Sequence, residues 1–382
     1  MGNTLTNLMP DLYQALDVVS RELVGFIPSV THDASLSRAS VGQNVRSAAT
    51  RANGTLTSIT PSMTLSEPTD QTIDNIPVII SRAEACEFGW TGSEQSQLNQ
   101  GPGYARIRQD QMIQAMRTVC NAVEGDLAGL HLKASRAYGS ATMPFASDLS
   151  DTAQVRKTLS DNGQWQEGNM QMVINSAAGA KVRTLTQLTN ANQAADSSFL
   201  RQGNLLNIHG FDFRESAGIK TVAAVGNNTG TYAANGAHAI GANTLTLKTG
   251  TGTILAGDVI TFSGDTSLKY VVLTGCAAAG TITINKPGLM KALADGDTVA
   301  VVAITARNMA FSRSSIILAT RMPEMPSEGD AAIDGTTITD PRSGLSFEVL
   351  VYAGKRKVRY EVGLAWGVAC VKNEGLALLL GS

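Results

Sequence analysis

The sequence predicts an α+β chain that carries an inserted antiparallel β-module, a small sandwich or barrel. Three observations predict it. One long helix in the first half bears an apolar stripe at helical spacing. Between residues 216 and 306 short alternating runs recur, parted by Gly and Asn/Asp turns. After Ala306 the earlier, Arg- and Glu-containing composition returns. Mixed sequence on both sides of a compositionally distinct module is what an insertion leaves behind; separate domains in series would not return to the first composition.

The chain has 382 residues, room for two or three domains at about 150 residues each. Apolar residues make up 43% and charged ones 16%, the latter below the roughly 25% of ordinary globular chains. Thirty basic residues against 32 acidic ones leave a net charge of −2. A protein that grips duplex nucleic acid needs a basic excess or patch, so no specific nucleic-acid binding is expected. The first residues, MGNTLTNLMPDLYQALDVVSREL, lack the basic start and continuous apolar core of a signal peptide. No run approaches the roughly 18 apolar residues of a membrane span. Cys86, Cys120, Cys276 and Cys370 stand far apart, without metal or redox spacing, and read as reduced thiols. A soluble, non-secreted chain without membrane contact is expected.

Each element follows in order. Asp11 to Val24 is expected to form a short amphipathic helix, with Leu12, Ala15, Leu16, Val19 and Leu23 on one face. The stretch SLSRASVGQNVRSAATRANG is too poor in large apolar groups to pack alone. It is expected to be disordered or an arm that packs on another surface. Residues 51–82, rich in Thr, Ser, Pro and β-branched residues, read as a long and weakly self-supporting hairpin. From Tyr104 to Ser135 one helix is predicted. Ile113, Met116, Cys120, Val123, Leu127 and Leu130 follow a 3,4,3,4,3 spacing and form its core stripe, with Gly125 and Gly129 weakening its end. From Asp148 to Arg214 short helices and strands alternate, as in the strand MVIN followed by the helix SAAGAKVRTLTQL. In 216–306 the charged residues are five Lys and four Asp, with no Arg or Glu. Strands are predicted at TLTLK from Thr244, DVITF from Asp258, KYVVL from Lys269, TITIN from Thr281 and TVAVV from Thr298.

A search for chemistry is negative. No third glycine or strand–turn–helix setting accompanies Gly101-Pro102-Gly103 or Gly250-Thr251-Gly252, and no phosphate-loop, nucleophile-elbow, zinc or EF-hand pattern occurs. His32, His131, His209 and His238 fall in separate regions. Neither an enzyme nor a cofactor or metal site is expected. The densest charge is KRKVRYE. Read as a strand, it places Lys355, Lys357 and Arg359 on one face and Arg356 on the other. A solvated or inter-subunit role suits these four residues better than a nucleic-acid one. An arm and a hairpin that cannot bury their apolar groups internally bury them on a neighbour.

The order of parts resembles the major capsid protein of tailed phages, the Hong Kong 97-type fold. The Gly/Thr-rich module narrows the resemblance to the coat proteins of the short-tailed Salmonella phages and their relatives, with LAGDVITF looking like the Gly-Asp strand of their inserted domain. NMAFSRSSIILATRMPEMP and GLSFEVLVYAGKRKVRYEVGLAWGVACVKNEGLALLLG look like that family's closing strands. There Trp366-Gly367 matches an aromatic–Gly pair, and Lys372-Asn373-Glu374 stands where many relatives carry a proline before the glutamate.

The resemblance implies an N-terminal arm (1–50), an E-loop hairpin (51–82), a spine helix with the peripheral domain (83–135), and a first part of the axial domain (136–215). An inserted β-domain (216–306) and a second axial and peripheral part (307–382) follow. It implies self-association in hexamers and pentamers, a scaffolding protein during assembly, a portal at one vertex and a possible decoration protein. It implies a virion location after assembly in the host cytoplasm. Inter-subunit contacts are expected at Glu67, Asp70, Asp74, Lys355, Arg356, Lys357 and Arg359. No Lys–Asn cross-linking pair stands out, so a non-covalent shell is expected. Two other readings remain open, a tail or surface binding protein with an adhesin-like β-domain and an encapsulin-type shell. The long striped helix is unneeded by the first, and the module is unusual in the second.

Overall fold

The computed structural model describes residues 24–50, 73–99, 103–140, 144–189, 207–219, 231–302, 305–339 and 344–381, with the single positions 59, 61, 63, 142, 221, 222 and 226. The expected N-terminal helix and most of the hairpin's far end lie outside them.

A turn of 3-10 helix, Ile27–Ser29, leads into β1 (Thr31–Ala39). β2 (Asn44–Thr50) and β3 (Ile73–Ile79) pair as a ribbon. β4 (Arg82–Thr91) runs through a short helix, Gly92–Leu98, to the long helix Tyr104–Gly129. β5 (Arg136–Gly139), a helix at Ser150–Asp161, β6 (Met170–Ile174), helices at Ser176–Thr184 and Thr186–Thr189, β7 (Asn207–Ile208), β8 (Phe211–Glu215) and β9 (Thr221–Val222) follow. Next come β10 (Tyr232–Ala234), β11 (Thr244–Lys248), β12 (Val259–Phe262), β13 (Asp265–Thr274), β14 (Thr281–Ile284) and β15 (Thr298–Val301). The chain closes with β16 (Thr305–Ser312), β17 (Ile316–Pro323), β18 (Ala332–Thr339), β19 (Ser346–Gly354), β20 (Lys357–Cys370) and β21 (Leu376–Leu380).

β10 to β15 form a closed six-stranded barrel in the order β12-β15-β10-β11-β14-β13, with β13 returning to β12. The alternation that predicted these strands is what fills the barrel. Leu245, Leu247, Ile282 and Ile284 point inward with Tyr232, Phe262 and Tyr270 in one core, while their neighbours face out. β10 was not expected from the sequence, because Tyr-Ala-Ala is too short to show a period. Nor does the barrel hang free. Lys269 and Tyr270 of β13 pair with Ala137 and Arg136 of β5, which continues the sheet through β21, β16, β6, β8 and β7.

The second sheet has six strands. β20 holds β19 along its first half and β17 along its second, and β4 pairs with it from Lys357 to Trp366. β1 adds in parallel to β17, with a bulge between Ala34 and Arg38. Of the stretch 35–54, expected to be disordered or an arm on another surface, the described residues 35–50 therefore hold the end of β1 and all of β2. Their pairing comes from the backbone and needs no apolar alternation.

The long helix packs on this sheet. Met116, Val119, Cys120, Val123 and Leu127 share a core with Phe347, Val362, Leu364 and Trp366. Trp366 Nε1 donates to Asp126 of the helix at 2.9 Å. Two expectations need correction. The helix ends at Gly129 and continues as a 3-10 turn, Leu130–Lys133, because two glycines in its last turns weaken it. Ile113 is 39% exposed and Leu130 only partly buried. The buried face turns away from Ile113, and Ile107 packs instead with Trp90 and Leu98.

Candidate inter-subunit surfaces

Among the described residues the ribbon is anchored at its base. Seven pairs run from Asn44↔Ile79 to Thr50↔Ile73, and neither strand joins another sheet among the described residues. Gly42 N donates to Ile80 O, Ile80 N to Gln43 O, and Ser81 N to Trp366 O. Val78 and Ile80 are buried with Ala39, Ile317, Ala319 and Ala365. β20 passes beneath at Gly367, where an added Cβ would lie 2.1 Å from Ile79 O; only glycine admits that approach. Between Val78 and Ile80 the Ile79 side chain is 52% exposed, and Ile59 and Met63 are fully exposed. Of the acidic candidates, Asp74 occupies β3 opposite Ala49, and Glu67 and Asp70 lie outside the described residues.

The basic segment is a hairpin end. Gly354 pairs with Lys357 across a two-residue turn, Lys355-Arg356, in which Arg356 has φ 57°. The expected single-strand arrangement is therefore corrected. Lys355 and Arg356 form the turn, where strand alternation does not apply, and only Lys357 and Arg359 share a strand. Arg359 is used within the chain: it sits 3.1 Å from both Glu87 and Glu361 and lies over the Tyr352 ring at 5.0 Å. Lys355, Arg356 and Lys357 are exposed. They rim a cleft of about 560 Å³ with Trp90, Ser93 and Gln95. Thr91 and Glu94 form a reciprocal cap on the short helix beside it. The structure thus gathers three basic side chains at one tip, on a different element from Asp74.

Among the described residues β1 and β18, at the two ends of the six-stranded sheet, each have a single partner, as does β4 on β20. Leu36 on β1 and Ile333 on β18 are both 66% exposed. Unpaired edges with apolar side chains are ready-made docking strips.

Sequence reasoning missed Glu124, a carboxylate inside the apolar stripe of the long helix and fully buried. It accepts from the backbone N–H groups of Gly25, Phe26 and Ile27 and from the Ser216 hydroxyl. It thereby ties the first described turn to the helix and to the end of β8. Burial pushes its pKa up, and the four donors pull it back only in part. The available signal was a charge standing between Val123 and Leu127.

No group of metal-ligating side chains occurs among the described residues, and no described helix is long and apolar enough to cross a membrane.

No protein-family model matches the sequence, and no curated protein matches it. Similar solved structures exist. A Mycobacterium phage Che8 structure is 11% identical, with a TM-score of 0.47 over 99% of this chain and 93% of that one. The capsid structure of cyanophage P-SCSP1u is 9% identical, with a TM-score of 0.49 over 100% and 93%. The capsid of a native GTA particle is 11% identical, with a TM-score of 0.49 over 100% and 96%. These are likenesses, and no residue role passes from them to this chain.

Proposed function

We propose that the chain is a major capsid protein that self-assembles into the icosahedral head shell of a tailed bacteriophage and encloses its double-stranded DNA. The sequence resemblance to the Hong Kong 97-type coat proteins supports it, and one observation carries it. The β2–β3 ribbon projects from a firmly buried base, joins no other strand among the described residues, and leads to exposed apolar side chains. A lone two-stranded ribbon is marginal in water, so a second surface must cover it. A head-to-tail contact of this kind, repeated, closes rings, here the hexamers and pentamers of a shell.

In this reading the ribbon is the E-loop, and it starts at Asn44, within the segment assigned to the N-terminal arm. The arm is then the chain ahead of β1. The long helix is the spine; β4, β19 and β20 belong with the peripheral domain; β5 to β8, β16 and β21 form the axial domain. The closed barrel between β9 and β16 is read as the inserted domain expected from the resemblance to the Salmonella-phage coat family, and it favours that reading over an encapsulin. The basic tip at Lys355, Arg356 and Lys357 meets an acidic neighbour, for which Glu67, Asp70 and Asp74 of the next subunit's E-loop are the candidates. Scaffolding protein, portal and decoration protein are further partners, assembly takes place in the host cytoplasm, and the chain performs no catalytic step. A net charge of −2 suits a container, since a strongly basic inner wall would retard DNA driven past it.

Electron microscopy of the chain expressed with its neighbouring phage genes, after sedimentation, tests this. Closed uniform shells are expected. Slow-sedimenting monomers or small rings with scaffold present would contradict it.

A further inference from the structure

We propose that Arg307 is the charged end of an oxyanion-binding site, a cleft that takes a carboxylate or phosphate group. Arg307 lies in β16 opposite Leu380 of β21 and is 2% exposed. Its Nε, Nη1 and Nη2 are all shut off from solvent and meet no hydrogen-bond partner among the described residues. A guanidinium has five donors and keeps its charge, and burying it unpaired is among the costliest arrangements in a protein. Other arginines of this chain are treated differently. Arg136, equally buried, donates to the Thr158 carbonyl at 2.9 Å; Arg321 reaches Asp33 and Arg183 reaches Glu215. The carboxylate whose field Arg307 feels is Asp258. That group already accepts from Leu255 N at 2.9 Å and Gly226 N at 3.1 Å.

Arg307 lines a cleft of about 220 Å³ between the end of the long helix and the segment leading to β9, with Gly125, Gly129, His131, Gly218 and Ile219. Gly125 and Gly129 stand one helical turn apart. An added Cβ at either would meet no atom within 4 Å, so no close approach demands glycine there, and each costs helix stability relative to alanine. What the pair provides is open space beside the arginine. His131 accompanies it with Nδ1 3.0 Å from the Ala128 carbonyl, and burial holds that imidazole below its ordinary pKa. Arg307 is therefore the fixed charge of the lining. Arg307 borders this space, and a planar fork of donors is matched by an oxyanion once a small side-chain shift brings the guanidinium to the cleft. Two sources supply that chemistry, a free inorganic anion and the Asp or Glu side chain of a second copy; the second source rests on the shell reading above.

The test is thermal melting of the unassembled full-length chain in sodium phosphate and in sodium chloride of equal ionic strength, with Arg307→Met and Gly125→Leu alongside. Phosphate stabilises many proteins by exclusion from their surface, so the difference between wild type and variants is what counts. Wild type is expected to gain several degrees more than either variant. Arg307→Met is expected to melt no lower than wild type in chloride, because it removes a buried unpaired charge. Gly125→Leu fills the cleft and keeps the arginine. A phosphate-specific gain assigns the free anion as a source. No gain, with a second copy's carboxylate on the guanidinium in a density map of assembled shells, assigns the neighbouring subunit. No gain with Arg307 bare in shells overturns the site. No gain with no shells also overturns it, the shell reading having failed separately on the particles. An Arg307→Met protein that gains as much as wild type overturns it too.

Discussion

The barrel and the β2–β3 ribbon are both antiparallel, yet they are built to opposite ends. Each barrel strand has a neighbour on both sides, and Tyr232, Leu245, Phe262 and Ile282 inside it have no exposure at all. Each ribbon strand has one neighbour among the described residues, and Val78 and Ile80 at its base are buried. Closing a sheet removes its edges and makes a module sufficient in itself. Leaving it as two strands keeps its edges open among the described residues. In the reading proposed above, one chain holds a part that serves its own folding and a part that a neighbour completes.

Substitutions can break that contrast. The largest effect is expected from Met116→Asp, which puts an unpaired charge into the core joining the long helix to β20. A loss of about 4 kcal/mol is expected, seen as an unfolded or aggregated chain without shells. Normal shells from this variant would show that the helix is not packed as described. Ile282→Ala empties the barrel core and costs about 3 kcal/mol. Its effect should stay local, with faster amide exchange in β11 and β14 and unchanged exchange in β3. Gly367→Ala forces a Cβ against Ile79 O and costs about 2 kcal/mol; here exchange should rise at Ile79 and Ile80 and leave the barrel alone. Should the two variants perturb the same amides, barrel and ribbon are not separate in energy.

Glu124 gives a pH signature. Its carboxyl pKa is raised in the folded chain above the ordinary 4.5, so the folded state holds its proton longer than the unfolded one. The stability it contributes is complete below about pH 4.5 and is lost as pH rises through the raised value. Denaturant midpoints of wild type should fall over that window more than those of Glu124→Gln; parallel pH profiles would remove this role. The smallest effect on stability belongs to Lys355→Glu, within about 0.5 kcal/mol for an exposed turn residue. Melting should be unchanged while shell yield drops. Unchanged yield would remove the basic tip from the contacts between subunits.

What could be read from sequence followed the physics of each region. Barrel strands such as TLTLK and TITI were legible because one face is core and the other water, which imposes alternation. The long helix was legible for the same reason at its own period, though spacing alone could not show where the buried face turns away from Ile113. β1 was not legible: THDASLSRA pairs through its backbone on β17, and most of its side chains are exposed, so nothing selects apolar residues. Glu124 and Arg307 were missed because a buried charge depends on partners, or on a cleft, brought from distant segments. At Lys355 and Arg356 the residues were singled out and their geometry misjudged, because a two-residue turn interrupts the alternation assumed for a strand.

The most direct measurement compares sedimentation of the full-length chain with that of a chain whose residues 51–72 are replaced by a short Asn-Gly turn, both expressed with the scaffolding partner. Fast, uniform shells are expected from the first. The second should give a folded, slow-sedimenting chain whose barrel melts as in wild type. Shells of normal size and yield from the shortened chain would contradict the ribbon's role in joining subunits.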